Sequence, residues 1–357
     1  MTGPSAVAPP GAVLSVVMPN FNHGHLIGHA LEALAAQGRQ PDEIIVIDDA
    51  STDDSLAVLD RYRASLPQLV VLRNARTGGA NAAVRRGLET ASGRYVFFAA
   101  ADDWVLPGFF AKALAVLDAN PDCGFVCGEA MLLSGETGKL LGYRPAVRPR
   151  AREGAITPEA MRRLLLTADN FIMSGSTIFR RDIVDQKGGF DERAGSFADG
   201  LLVRKIALTH GFYFVPRAFA VWSVYAHGYS RTTALEIERA RKALEELPSL
   251  IAADADFPAC YAALFRRRWR FGAARLALEA GPTRAPLVIE LGASSAWDRR
   301  VLSVVSPWAS YRLGRWLALA FLTVRLRPYR LRDVIATALA RRRAGGSLEA
   351  DGATDRS

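Results

Sequence analysis

The chain is poor in cysteine, with Cys123, Cys127 and Cys260 among 357 residues. Three thiols build no disulfide framework, and no second pair completes a zinc site around Cys123 and Cys127. Structural thiols in a reducing compartment are expected. Long hydrophobic runs are missing too. Trp316–Val324 is the nearest to one, and a membrane span needs roughly 18–20 apolar residues. The opening MTGPSAVAPPGAV has no basic stretch leading into an apolar one, so residues 1–12 are expected to be a disordered leader rather than a signal peptide. Gly-x-Gly-x-x-Gly and Gly-Lys-Ser/Thr are both absent. A dinucleotide-dependent oxidoreductase and a Walker-type phosphate loop are thereby disfavoured.

Half of the residues are hydrophobic, enough for a large core, and they recur in a rhythm. Leu14–Pro19 reads as a buried strand. Ile27, Leu31 and Leu34 follow at helical spacing. Glu43–Ile47 is a second strand, and Ser51-Thr-Asp-Asp54 predicts a capped helix start. Leu69–Leu72 is a third strand, and Thr77-Gly-Gly-Ala-Asn81 a glycine turn that opens a helix to Ala91. Tyr95–Ala101 is a fourth strand, Phe109–Leu117 a helix and Gly124–Cys127 a short fifth strand. Glu136–Glu153, rich in Gly, Pro and Arg, reads as a mobile loop or lid. Thr157–Leu166 and the stretch after Phe197-Ala-Asp-Gly200 read as helices, and Phe212–Val215 and Val221–Tyr225 as two further strands. Alternating strands and helices predict an α/β fold, a mostly parallel sheet with helices on both faces.

Two of these strands stop in acid pairs, Asp48-Asp49 and Asp102-Asp103. Parallel strands align their carboxyl ends on one rim, where open α/β sheets bind ligands. Adjacent carboxylates repel unless a cation offsets them, and a hard divalent metal carrying phosphate oxygens suits them. An Asp-rich turn is the plainer alternative.

The formal charge of +9 is uneven, with much of it beyond Arg266. Trp308–Leu331 mixes aromatics and arginines around a short apolar core. That pattern fits a helix lying in an anionic membrane interface, an amphipathic helix packed on its own protein, or a nucleic-acid surface, for which no motif is present.

Ser15–Asn22, Ala30–Gln37, Val46-Ile-Asp-Asp-Ala-Ser-Thr-Asp53, Gly93-Arg-Tyr95, Ala101-Asp-Asp-Trp104 and Gly188-Gly-Phe-Asp-Glu192 follow one another as they do in the family 2 glycosyltransferases, which the chain resembles from about Leu14 to Arg231. Outside that span, the residue pattern predicts a basic helical extension over 232–344 and a disordered tail over 345–357. The resemblance implies a GT-A (Rossmann-like) fold over 13–231. It implies an inverting, metal-dependent transfer from a nucleotide sugar, a UDP-sugar foremost, to a glycan or lipid-linked acceptor on the cytoplasmic face of a membrane. Mn2+ or Mg2+ is the implied cofactor. Residue by residue, Asp49 would accept from the base, Phe21 would stack on it, and Pro19, Asn22 and Arg85 would stand near the nucleotide. Asp103 would bind the metal with Asp102 beside it, His227 would add a ligand, and Asp199 would be the catalytic base. Ala100 and Ala198 replace acids usual in the family, and Pro19 and Arg85 replace a usual Thr and Asn. A non-catalytic nucleotide-sugar-binding protein of the same fold is the alternative.

Overall fold

A computed structural model of the chain describes residues 13–168, 174–226, 228–328 and 330–352. They form two compact units. One comprises 13–161 and 174–225, the other 162–168 and 226–352.

The first unit runs β1 (Leu14–Asn20), α1 (Gly24–Ala35), β2 (Glu43–Asp48), α2 (Ser55–Tyr62), β3 (Leu69–Arg73), α3 (Ala80–Thr90), β4 (Tyr95–Phe98), β5 (Trp104–Val105), α4 (Phe109–Ala119), β6 (Phe125–Ser134), β7 (Leu140–Arg144) and β8 (Gly154–Ile156). After α5 (Pro158–Thr167), the last six residues of which lie in the second unit, come β9 (Thr177–Arg180), α6 (Arg181–Gln186), α7 (Ala198–His210) and β10 (Phe212–Val224). The strands form one sheet in the order β3-β2-β1-β4-β9-β6-β10-β5, with β7 paired to β6 and β8 to β10. The sheet is mixed rather than mostly parallel. β3, β2, β1 and β4 are mutually parallel, as are β6 and β10. β9 runs antiparallel to both β4 and β6, and antiparallel neighbours need no helical crossover.

Both faces of the parallel half are covered, which is why its strands read as continuous apolar runs. Val16, Met18, Ile44 and Val46 pack with Ile27 and Leu31 of α1, Leu59 of α2 and Phe109 and Phe110 of α4. Val17 and Ile47 point the other way, to α3. A Cβ on Gly87 would lie 2.5 Å from both side chains, so glycine lets that helix sit directly on the sheet. Further along, Phe125 and Phe212 stack with ring centroids 5.0 Å apart.

Several expectations change. The fourth strand ends at Phe98, not Ala101, and the acids after it sit in a turn leading to β5. The short fifth strand is ten residues long. The two strands expected between Phe212 and Tyr225 are one, β10, which passes Pro216 through shifts in its register with β6. Ser51 does not cap α2. Its hydroxyl accepts from the Asn20 side chain and the Asn22 N–H, and Asp53 accepts the Ser55 N–H at 3.0 Å instead. The expected lid over 136–153 is largely built in. It includes β7, and Arg148 makes a buried bidentate ion pair with Glu129 at 2.6 and 3.0 Å.

The second unit is helical: α8 (Tyr229–Leu235), α9 (Ile237–Ala253), α10 (Tyr261–Glu279), α11 (Ala285–Gly292), α12 (Ala296–Val305), α13 (Arg312–Leu326) and α14 (Leu331–Gly352), the last extending past the expected start of the tail at 345. Its core joins Phe271, Ala274 and Leu278 of α10 to Leu287 and Leu291 of α11, Leu302 of α12 and Leu322 of α13. The arginines of α10 are partly internal. Arg268 donates to Leu165 O and Pro328 O, and Arg270 to Leu291 O and Ala293 O, so they satisfy carbonyls at helix ends.

At the rear of the parallel half, buried Glu43 accepts from the Ser15 hydroxyl, the Ser92 N–H (2.7 Å) and the Gly93 N–H (3.1 Å), tying β1, β2 and the entry to β4 together. Glu43→Ala takes the acceptor from the buried Ser15 hydroxyl and from the Ser92 N–H, while the Gly93 N–H keeps Ser15 Oγ at 2.8 Å. It is expected to cost about 1–3 kcal/mol in urea unfolding, against about 1 kcal/mol for Ser15→Ala. A Glu43→Ala loss below about 0.5 kcal/mol would show that the network carries no stability.

Candidate active site

The register fixes the rim. Asn20 pairs with Asp48, and Val17 with Phe98, so β1, β2 and β4 end on the same edge of the sheet. Asn20 is buried there. Its Nδ2 donates to Asp48 Oδ1 (3.0 Å) and Ser51 Oγ (3.2 Å), while its Oδ1 meets no donor among the described residues. Pro19 is half-buried inside β1. Asn22 adopts a left-handed φ of 56°, tolerable for Asn because its short side chain bonds locally. That side chain accepts the Thr52 N–H at 2.8 Å and so joins the loops after β1 and β2. Phe21, between them, is 46% exposed, an aromatic face free to receive a planar group. Ala50 holds φ 63° just after the first acid pair, and such strain persists where surrounding contacts over-determine it.

Asp49 is buried and organises the glycine turn. Its carboxylate accepts from Asn74 Nδ2 (2.6 Å), Thr77 Oγ1 (2.7 Å), Gly78 N (3.0 Å) and Gly79 N (2.8 Å). Burial opposes its ionisation, but the hydrogen bonds led by Gly78, Asn74 and Thr77 outweigh it and hold Asp49 below the ordinary carboxylate range. The Gly78 and Gly79 amides bind Asp49 rather than a phosphate, which bears out the tight-turn reading. Arg85 of α3 forms an exposed ion pair with Glu192 at 2.7 Å.

The second acid pair follows β4. Asp103 Oδ1 accepts the Ser223 N–H of β10 at 2.8 Å. Burial, and then the negative charge of Asp102, push Asp103 well above the ordinary carboxylate value. The Tyr225 phenol is raised by its own burial and by both acids. Two hard oxygen donors with poorly offset charge fit a divalent cation that takes its other ligands from water and phosphate. His227 lies outside the described residues. Among those described, no group of three or more His, Cys, Asp or Glu side chains forms a ready-made metal site.

Asp103 lines a small cavity with Met18, Ala99, Ala100, Trp104 and Gly175. Ser174, next to Gly175, donates to Asp199 Oδ2 at 2.8 Å, and Asp199 Oδ1 accepts the Gly200 N–H at 2.6 Å. Asp199 lies in the first turn of α7, whose N-cap is Phe197, so it is not the cap. Sequence reasoning singled out Asp49, Asp103 and Asp199 but missed the groups that hold them: Asn74 and Thr77, Ser223, and Ser174. Thr77 left a signal as the start of the glycine turn and Ser174 as part of a small polar patch inside an apolar stretch; Asn74 and Ser223 left none.

Residues 15–187 match the family described as Glycosyl transferase family 2. The uncharacterized glycosyltransferase YibD of Escherichia coli is 31% identical over 171 residues, 48% of this chain and 49% of YibD. The poly(ribitol-phosphate) beta-N-acetylglucosaminyltransferase TarS of Staphylococcus aureus is 31% identical over 197 residues, 54% of this chain and 32% of TarS. The matched region thus spans half or less of these relatives' length. Among solved structures, residues 1–349 of S. aureus TarS in complex with UDP-GlcNAc align with a TM-score of 0.58 at 18% identity, over 88% of this chain and 91% of that one. The mannosyltransferase PcManGT of Pyrobaculum calidifontis, in complex with GDP-Man and Mn2+, aligns with a TM-score of 0.55 at 20% identity, over 94% and 90%. These are likenesses of fold, and the fold is GT-A. The family match, running from β1 to the end of α6, and these likenesses of fold together support a family 2 glycosyltransferase.

Proposed function

We propose that the chain moves a sugar from a nucleoside-diphosphate sugar, a UDP-sugar foremost, to a hydroxyl of a glycan or lipid-linked acceptor, inverting the anomeric carbon, at the cytoplasmic face of a membrane. The observation that carries this reading is Asp199. Ser174 orients its carboxylate, and Ser174 adjoins the cavity that Asp103 lines. A carboxylate so held can take the acceptor's proton as its oxygen attacks the anomeric carbon. Attack opposite the leaving diphosphate inverts that centre.

In this reading Phe21 stacks on the base, and Asp49 receives the base by exchanging one of its present hydrogen bonds. Pro19 and Asn22 shape the wall beside it, and Arg85 reaches the nucleotide by leaving Glu192. Asp103, with Asp102 beside it and His227 added, would hold Mn2+ or Mg2+. A cation there supplies neutralisation of the charge growing on the departing diphosphate.

A non-catalytic sugar-nucleotide binder is the second reading. It is favoured by Ala198, which is 2% exposed and places a methyl group next to Asp199 where the resemblance implies an acid. Release of nucleoside diphosphate from UDP-, GDP- and dTDP-sugars, with Mn2+ and a mixed hydroxyl acceptor pool, separates the two. Binding without release would favour the second.

Asp199→Asn keeps the shape but takes no proton. Turnover is expected to fall about 10²–10⁴-fold with donor affinity and melting temperature nearly unchanged. Activity within threefold of wild type would remove Asp199 from the chemistry. Asp49→Ala is expected to lose about 1–3 kcal/mol at pH 7 and to weaken donor binding. The native pKa of Asp49 lies below the usual ~3.9 of the unfolded chain, so its stabilisation is complete above that value and is lost as pH falls through the native pKa. The stability gap between wild type and Asp49→Ala should therefore close in acid. A gap independent of pH down to about 2 would contradict the assignment of its hydrogen bonds.

A further inference from the structure

In the second unit, α13 has two opposite apolar faces. Gly314, Ala318, Leu322 and Leu326 are buried, and Leu322 packs on Gly292 of α11. A Cβ on Gly314 would lie 2.3 Å from the Trp308 carbonyl oxygen, so glycine lets α13 start hard against the 3-10 turn Ser306–Ser310. On the other side Leu313, Trp316, Leu317 and Val324 are exposed by 68, 63, 44 and 67%. At 3.6 residues per turn these four fall within about 100° of arc, facing away from the buried row. Trp308 and Tyr311, 61 and 64% exposed and 5.8 Å apart by ring centroid, add two further exposed aromatics just before the helix. The expectation of one helix over Trp308–Leu331 is thus corrected to a 3-10 turn, α13 and a break at Arg327, where φ is 41°.

Charge says what such a face fits. Residues 299–344 contain eleven arginines, no lysine and a single acid, Asp333, which pairs with Arg332 at 3.5 Å. Just before them, Asp298 is buried against Arg325. Arg299, Arg300, Arg312, Arg315, Arg327 and Arg330 are exposed. A second copy of the chain would bring like charge against like. A nucleic acid would draw nothing from Leu313, Leu317 and Val324. An anionic lipid surface satisfies both parts, with acyl chains for the apolar arc, headgroups for the arginines and the interface for Trp and Tyr. Among the described residues no helix is long and apolar enough to cross a membrane, so the element would lie in the plane of the surface.

We propose that the 3-10 turn and α13 form an in-plane docking surface for anionic lipid, with Trp308, Tyr311, Leu313, Trp316, Leu317 and Val324 entering the interface. The test is co-sedimentation of the full chain with phosphatidylcholine vesicles, with and without one quarter phosphatidylglycerol. No donor or acceptor is present, so the result is independent of the transferase reading. Binding at 100 mM salt is expected to the anionic vesicles, about tenfold or more above neutral ones, and to weaken at 500 mM. Leu313→Ser/Trp316→Ser is expected to reduce it at least about tenfold with an unchanged melting temperature, because both side chains are exposed. No binding, equal binding to both vesicles, or full binding by the double variant overturns the proposal. So does self-association, or retention of single-stranded oligonucleotide, that the double variant abolishes, since either assigns the face to another occupant.

Discussion

Two adjacent carboxylates, in the turn that follows a buried strand, repel each other at the front of this sheet. Asp103 is partly buried beside Asp102, and its carboxylate accepts the Ser223 N–H of a neighbouring strand. Around this pair the fold keeps the other carboxylates closely partnered. Asp48 is satisfied by Asn20 and Ser51, Asp49 by the Thr77–Gly79 turn and Asn74, and Asp199 by Ser174 and Gly200. The contrast separates carboxylates that hold loops in place from one whose charge is poorly offset. It also makes the rim an arrangement prepared before any substrate arrives, which is how binding groups contribute most to a reaction.

The parallel half was legible because both of its faces are buried. Strands covered on both sides read as unbroken apolar runs, and the acids that end them cannot be core. What could not be read was where ladders stop. Ala99–Ala101 is as apolar as Tyr95–Phe98, yet pairing ends at Phe98. Pro216 looked like a strand end, but β10 runs through it by shifting register on β6. Residues 136–153 have the composition of a lid, and an ion pair between Arg148 and Glu129, nineteen positions apart, anchors them instead. Such pairs are long-range facts that local composition does not carry. The same holds at the site, where the carboxylates announced themselves and partners such as Asn74 and the Ser223 N–H did not.

The helical unit teaches a different lesson about charge. Its arginines looked like one population in the sequence, but they divide by use. Arg268 and Arg270 of α10 bind carbonyls at helix ends, Arg325 neutralises a buried Asp298, and a third set stays exposed around α13. Net charge alone therefore overstates the basic surface, and the exposed apolar arc, not the charge, marks where a partner meets the unit.

The central claim is that the rim binds a nucleoside diphosphate together with a divalent cation held at Asp103. Calorimetric titration of the purified chain with UDP, in Mn2+ and in chelator, for wild type and Asp103→Asn, tests it most directly. The account predicts saturable binding in Mn2+ that weakens at least about tenfold, some 1.4 kcal/mol, both in chelator and in Asp103→Asn. It would be contradicted if UDP, GDP and dTDP all failed to bind under either condition, or if Asp103→Asn bound UDP in Mn2+ as tightly as wild type.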